Sequence, residues 1–356
     1  MNTASLHARA ALAARLLTHK RSVSEEVTDE FFRLHPDWLV RYGERGRMRG
    51  VDDAGFHIDF LAGAIEAGAA GPFEDYARWT VRMLGARGIA AAFVMENFEQ
   101  IERALARRLW DQDERGMLAY IVAAAIRACE VDSATPTGAA PDIALASTRS
   151  TFVQAILAGQ RRAACTIALE AVRAGIGMLD LYSDVIQEAL YEVGRLWESN
   201  AIAVAQEHMA TATVQRVLAE VYAEMPPNDA KRGTALLTGV VGELHQVGAN
   251  MIADALEADG WSVRFLGTNM PHAGIIEIFE EKPADLVGIS CTMSFNLPSV
   301  VDLVQQIAAL DPRPKLVLGG AAFRSAPSLV DELESDGFAP DVRSAVHMAR
   351  SLGQAS

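Results

Sequence analysis

Cysteine is scarce in this chain of 356 residues, with only Cys129, Cys165 and Cys291 present. They lie far apart in apolar or strand-end contexts, so buried thiols in a reducing cytoplasm are expected rather than a disulfide framework. Positive charge is also short. The formal net charge is −14, which argues against a nucleic-acid surface and leaves room for a partner of opposite sign. No uninterrupted apolar span reaches membrane length, and the N-terminus lacks the charged-then-apolar pattern of a signal peptide. A cytoplasmic protein with neither a membrane nor a nucleic-acid partner is therefore expected. What is abundant is hydrophobic material, half of all residues, enough for the cores of two or three domains.

The order of elements is clearest near the C-terminus. The apolar run 234–241 is followed by Gly242-Glu243-Leu244-His245-Gln246-Val247-Gly248 and then by a helical pattern over 249–258. Further short apolar runs at 261–266, 285–290 and 315–318 alternate with helical patterns, which predicts a doubly wound, flavodoxin-like parallel sheet over residues 231–356. Ligands bind at the carboxyl ends of strands in such sheets. His245 is the candidate metal ligand there, because a carboxylate two residues away can hold one ring nitrogen while the other faces outward. A solvated loop histidine is the alternative. Ser290-Cys291-Thr292 and Gly319-Gly320 end two neighbouring strands with small residues, leaving room for something large and flat.

These residues resemble the D-x-H-x-x-G, S-x-L/T and G-G signature of cobalamin-binding domains, read here as Glu243 to Gly248, Ser290 to Thr292 and Gly319-Gly320. The resemblance implies that His245 replaces the dimethylbenzimidazole base below cobalt. It also implies that Ser290 and Thr292 line the channel for the displaced nucleotide tail and that Gly319-Gly320 let the tail pass. Glu243 stands where the family usually has Asp, which puts its contact geometry in doubt.

Residues 1–132 read as helical throughout, globin-like or a bundle. Ser22 to Glu25 has a capping-box form, Pro36 and Pro72 are placed to open helices, and Asp52 or Asp53 can cap the segment 56–65. The stretch 41–50 reads as a turn carrying Arg41, Arg45, Arg47 and Arg49. Guanidinium forks beside an aromatic helix suit paired carboxylates, and a linear tetrapyrrole carries two propionates on a flat apolar body. Candidate residues for it are Tyr42, Arg45, Arg47, His57, Asp59 and Trp79. Haem is disfavoured, because no histidine occurs between His57 and His208. Residues 133–142 read as a linker and 143–226 as a four-helix bundle. A bundle directly before a cobalamin sheet resembles the cap over the upper face of the corrin.

Trp197, Glu207 and His208 flank the turn between the third and fourth bundle helices. Their spacing resembles the W-x9-E-H pattern of adenosylcobalamin photoreceptors, which implies that they surround the upper axial adenosyl group. Glu198 stands where the DNA-binding members have histidine, and a carboxylate is a poorer ligand for Co(III). With a helical domain in place of a basic DNA-binding one, the whole chain is similar to photocobilins, which use adenosylcobalamin and biliverdin together. By that resemblance the chain is a non-enzymatic light sensor with light-dependent homo-oligomeric assembly and a separate output protein. Two rival readings are a corrinoid methyl carrier of a methyltransferase system and a light-independent cobalamin-binding regulator.

Overall fold

The computed structural model describes residues 5–130, 145–225, 228 and 231–353; the expected linker 133–142 lies outside them. These residues form two compact units. One holds residues 5–130 together with 293–298 and 325–332, and the other holds the remainder.

The first unit is built from α1 (Leu6–Thr18), α2 (Lys20–Leu34), α3 (Pro36–Ala67), α4 (Gly71–Gly85), α5 (Ala91–Ala106) and α6 (Gln112–Glu130). Ser5 caps α1 by accepting the Ala8 N–H at 3.3 Å. Pro36 opens α3, and Gly68 closes it in the left-handed conformation at φ 66°. Two expected caps are absent. Ser22 sits inside α2 and donates to the His19 carbonyl at 3.0 Å, and Asp52 and Asp53 lie within α3. The expected turn at 41–50 is also helical, because Gly43 alone absorbs the kink at φ 60°, ψ −164° and its neighbours resume the helix. The second half of α3 is buried nearly all round. Ile58, Leu61 and Ile65 are fully enclosed with Leu16, Phe73, Phe98 and Leu105, which makes α3 the central helix of the unit. Residues 293–298 pack onto it closely: the Phe295 ring meets Phe60 edge-on at 5.1 Å, and a Cβ on Gly63 would stand 2.2 Å from the Ser294 carbonyl oxygen.

The second unit begins with the helices α7 (Ala146–Leu157), α8 (Arg161–Arg173), α9 (Met178–Asp180), α10 (Glu188–Glu198) and α11 (Val204–Ala223). A π-helical stretch, Leu181–Gln187, joins α9 to α10, so the predicted third bundle helix is continuous but changes pitch. A parallel sheet follows: β1 (Gly233–Gly239), β2 (Trp261–Phe265), β3 (Leu286–Ser290), β4 (Lys315–Gly319) and β5 (Gly337–Ala339), in the order β2-β1-β3-β4-β5. The connecting helices are α12 (Gln246–Ala258), α13 (His272–Glu281), α14 (Leu297–Ala308), α15 (Pro327–Glu332), which is counted with the first unit, and α16 (Val342–Gly353). This is the doubly wound, flavodoxin-like order, with its switch point between β1 and β3. The three-residue β5 carries too short an apolar run to be read from sequence. Phe152, Tyr182, Val185 and Val214 of the bundle share one hydrophobic core with Leu237, Met251, Leu256 and Val346 of the sheet domain.

Candidate functional site

Strand pairing brings Gly239, Ser290, Gly319 and Ala339 into one row across the carboxyl edge of the sheet. Four small residues in register leave that edge low. Below it an apolar slot runs between the sheet and α12 and α16, lined by Leu237, Ile252, Gly288, Ser290, Gly319 and Ala345 among others. Ser290 and Gly319 therefore stand where the sequence places them, while Gly239 and Ala339 were missed because only the register aligns them. Gly320 has a reason within the protein itself. Its φ is 101°, and a Cβ there would lie 2.1 Å from the Cys291 carbonyl oxygen. Gly248, in the first turn of α12, has nothing within 4 Å of a Cβ position, so no packing within the protein demands it.

The loop after β1 carries the chemistry. Glu243 is completely buried. Its Oε1 accepts from the His245 backbone N–H at 2.8 Å and faces His245 Nδ1 at 2.7 Å, while Oε2 accepts the Thr292 N–H at 2.6 Å. Burial pushes this carboxyl upward, but the bonds from the His245 ring, Thr292 and the His245 backbone outweigh it and hold the group below its usual range. The same bond from Glu243 raises His245 above its ordinary value against the effect of burial, with the charges of Glu243 and Glu207 adding to it. With Nδ1–H given to Glu243, Nε2 is the ring nitrogen left for a metal, and the His245 side chain is 55 % exposed. The longer Glu thus spans two loops: it fixes the histidine and ties it to the end of β3. Thr292 contributes its backbone N–H to this carboxylate and lies beyond the slot lining.

Trp197 is half-buried near the end of α10, and Glu207 and His208 lie in the first turn of α11. Glu207 Oε2 faces His208 Nδ1 at 2.5 Å, and its Oε1 accepts from Thr211 Oγ1 at 3.0 Å.

Of the residues considered for a tetrapyrrole, His57 and Trp79 meet the same ring, Tyr76, while Tyr42, Arg47 and Asp59 have separate partners. Tyr42 is exposed and packs on Trp38 at 5.2 Å, Arg45 is exposed, and Arg47 is engaged with Asp29 at 2.5 Å. Asp59 pairs with Lys20 at 2.5 Å. His57 is buried in the core, its Nδ1 2.7 Å from the Tyr76 hydroxyl, and burial pushes its pKa down to about 3. Trp79 lies against Tyr76 at 5.9 Å. Arg45 and Arg47 lie on the same side of the Gly43 kink as His57 and Asp59, but at 1.5 Å per residue Arg47 stands about 15 Å along the helix from His57. Among the described residues, no group of three or more His, Cys, Asp or Glu is placed to hold a metal ion by itself, and no helix is long and apolar enough to cross a membrane.

The residues present fit a corrinoid. One imidazole is oriented by a buried carboxylate, which suits a single axial ligand to a metal held otherwise by a macrocycle, and the slot beneath the low strand edge suits an extended tail. Comparison with known proteins agrees. Residues 233–346 match the family model described as B12 binding domain, and residues 148–222 match a second model of the same description. The chain is similar to dimethylamine corrinoid protein 3 of Methanosarcina acetivorans, 26 % identical over 188 residues, covering 52 % of this chain and 87 % of that protein. It is also similar to a corrinoid protein of Desulfitobacterium hafniense, 22 % identical over 205 residues, covering 56 % and 94 %. The monomethylamine corrinoid protein of Methanosarcina barkeri shares the fold, with a TM-score of 0.53 at 20 % identity over 58 % of this chain and 99 % of that one. With two B12 binding domains over the bundle and the sheet, this chain is a cobalamin-binding protein.

Proposed function

We propose that this chain is a corrinoid protein that carries a methyl group between separate partner proteins. A bound corrinoid supplies a cobalt centre able to accept and release a methyl group. The observation that carries the reading is the Glu243–His245 pair at the switch point, a buried carboxylate presenting one imidazole nitrogen at an accessible edge. Support for methyl carriage over the light sensor expected from sequence comes from the relatives, which are named as dimethylamine corrinoid proteins. In this reading Glu243 would keep the proton on Nδ1 and orient the ring, His245 Nε2 would hold the cobalt, the slot under Ser290 and Gly319 would take the nucleotide tail, and Trp197 and Glu207 would border the corrinoid from the bundle.

The test is retention and transfer. The purified chain is incubated in the dark with methylcobalamin, desalted, and mixed with a thiol in the presence and absence of a corrinoid methyltransferase. Retention with partner-dependent loss of the methyl group supports the proposal. Failure of the wild-type chain to retain any cobalamin overturns it.

A second reading is a light sensor holding adenosylcobalamin, with biliverdin in a globin-like N-terminal unit. It is favoured by Trp197, Glu207 and His208 clustering about one interhelix turn, and by the enclosed His57–Tyr76 pair. Retention of both chromophores, with light-driven loss of alkylcobalamin bands and a change in oligomeric state, would select it.

A further inference from the structure

The third bundle helix carries a feature that cobalamin ligation does not use. Leu181, Tyr182 and Ser183 are consecutive and all buried, with Val185 and Ile186 after them. They lie in the π-helical stretch Leu181–Gln187, whose extra residue per turn rotates the following helix relative to the preceding one. The result is that Tyr182, fully enclosed, donates its hydroxyl to Asp254 Oδ2 of α12 at 2.8 Å. The same oxygen accepts from Asn250 Nδ2 at 3.2 Å. Asp254 is itself buried, so a carboxyl and a phenol meet inside the core shared by bundle and sheet. On either side, Asp180 and Asp184 hold Arg343 of α16 at 2.7 and 2.6 Å.

Both helices in this contact lead to the corrinoid site. The helix bearing Tyr182 runs to Trp197 in its last turn, and α12 begins directly after His245. At 1.5 Å per residue, Trp197 lies about 22 Å from the pin along one rod, and the start of α12 lies about 12 Å from it along the other. A tilt of about 5° at the pin would therefore move Trp197 by about 2 Å. In the cobalamin reading Trp197 and Glu207 would border the corrinoid from the bundle while His245 would hold it from the sheet, so the spacing between the ends of these two rods would set the room for it.

We infer that Tyr182 and Asp254 are positioning residues: their buried hydrogen bond is the pivot that sets the spacing between the Trp197–Glu207 face and the His245 face. Loss of the bond frees the cap to swing, so corrinoid enters and leaves faster while the ligand set is unchanged. The inference rests on the cobalamin reading of the site.

The test uses the full chain with hydroxocobalamin as probe. Tyr182→Phe keeps the ring and removes the hydroxyl. It is expected to speed both association and dissociation by about tenfold, with the affinity changed by less than about threefold and the bound absorption spectrum unaltered. Asp254→Leu should behave alike, whereas Asp254→Asn, which keeps an acceptor for the Tyr182 hydroxyl, should stay near the wild type. Amide hydrogen exchange on the cobalamin-free chain gives a second readout: Tyr182→Phe should raise exchange around residues 197–208 and leave the start of α12 unchanged. Wild-type exchange rates and protection in a folded Tyr182→Phe variant would overturn the pivot. Uniform loss of protection across the unit would reduce the bond to a purely stabilising one and would overturn it too. Failure of the wild type to bind hydroxocobalamin would instead sink the cobalamin reading, and the hydrogen-exchange arm would still decide the pivot.

Discussion

Replacing Glu243 by Gln isolates what its buried carboxylate does. The side chain keeps its length, but one oxygen becomes an amide that donates, and it must face either the Thr292 N–H or the His245 donors. At least one buried N–H then loses its acceptor, a cost of about 1–3 kcal/mol. The imidazole loses the anion that orients it, and loss of such a support typically weakens metal binding about 10- to 100-fold. The pH dependence follows from the two shifts. Glu243 is depressed, so it contributes stability above its ordinary value of 4.5, lost as pH falls through the folded value. His245 is raised, so its contribution is full below 6.5 and lost as pH rises through the folded value. The pair therefore stabilises the cobalamin-free chain most between roughly pH 4.5 and 6.5, and the Gln variant should flatten that window. Denaturant melts across pH 4 to 8.5 and equilibrium titration with hydroxocobalamin measure both effects. A Gln variant with wild-type affinity and the wild-type pH profile would refute this account of the site.

Other substitutions probe the remaining parts. His245→Ala should leave the fold intact while changing the spectrum of bound cobalamin and weakening its retention. Ser290→Leu, which projects into the apolar slot under the strand edge, should abolish cobalamin retention with little change in the melting temperature of the cobalamin-free chain. Gly320→Ala should cost about 2–3 kcal/mol in a denaturant melt, because it combines a disfavoured φ with a backbone clash against Cys291. His57 is held neutral, its pKa down at about 3 against an ordinary 6.5. Stability should therefore fall by up to about 1.4 kcal/mol per pH unit as pH drops below 6.5. His57→Gln should remove that part of the slope, and parallel slopes in the two proteins would count against a buried neutral histidine.

The sequence by itself determined the parts that local pattern encodes. Short apolar runs alternating with helical periodicity specify a parallel α/β sheet, and the polar turn after the first run points to His245 and Glu243, because ligand-bearing loops follow strand ends. Proline marked helix starts correctly, at Pro36 and Pro72. Other features depended on what lies across space. The row of Gly239, Ser290, Gly319 and Ala339 exists only once four strands take their register. The second hydrogen bond of Glu243, to Thr292, joins loops 49 residues apart. Arginine-rich residues 41–50 read as a turn, yet the chain there departs from helical geometry only at Gly43. The pitch change that carries Tyr182 to Asp254 leaves no local sign, because a π-helical turn is stabilised by what its extra residue reaches, and that partner lies 72 residues further along the chain.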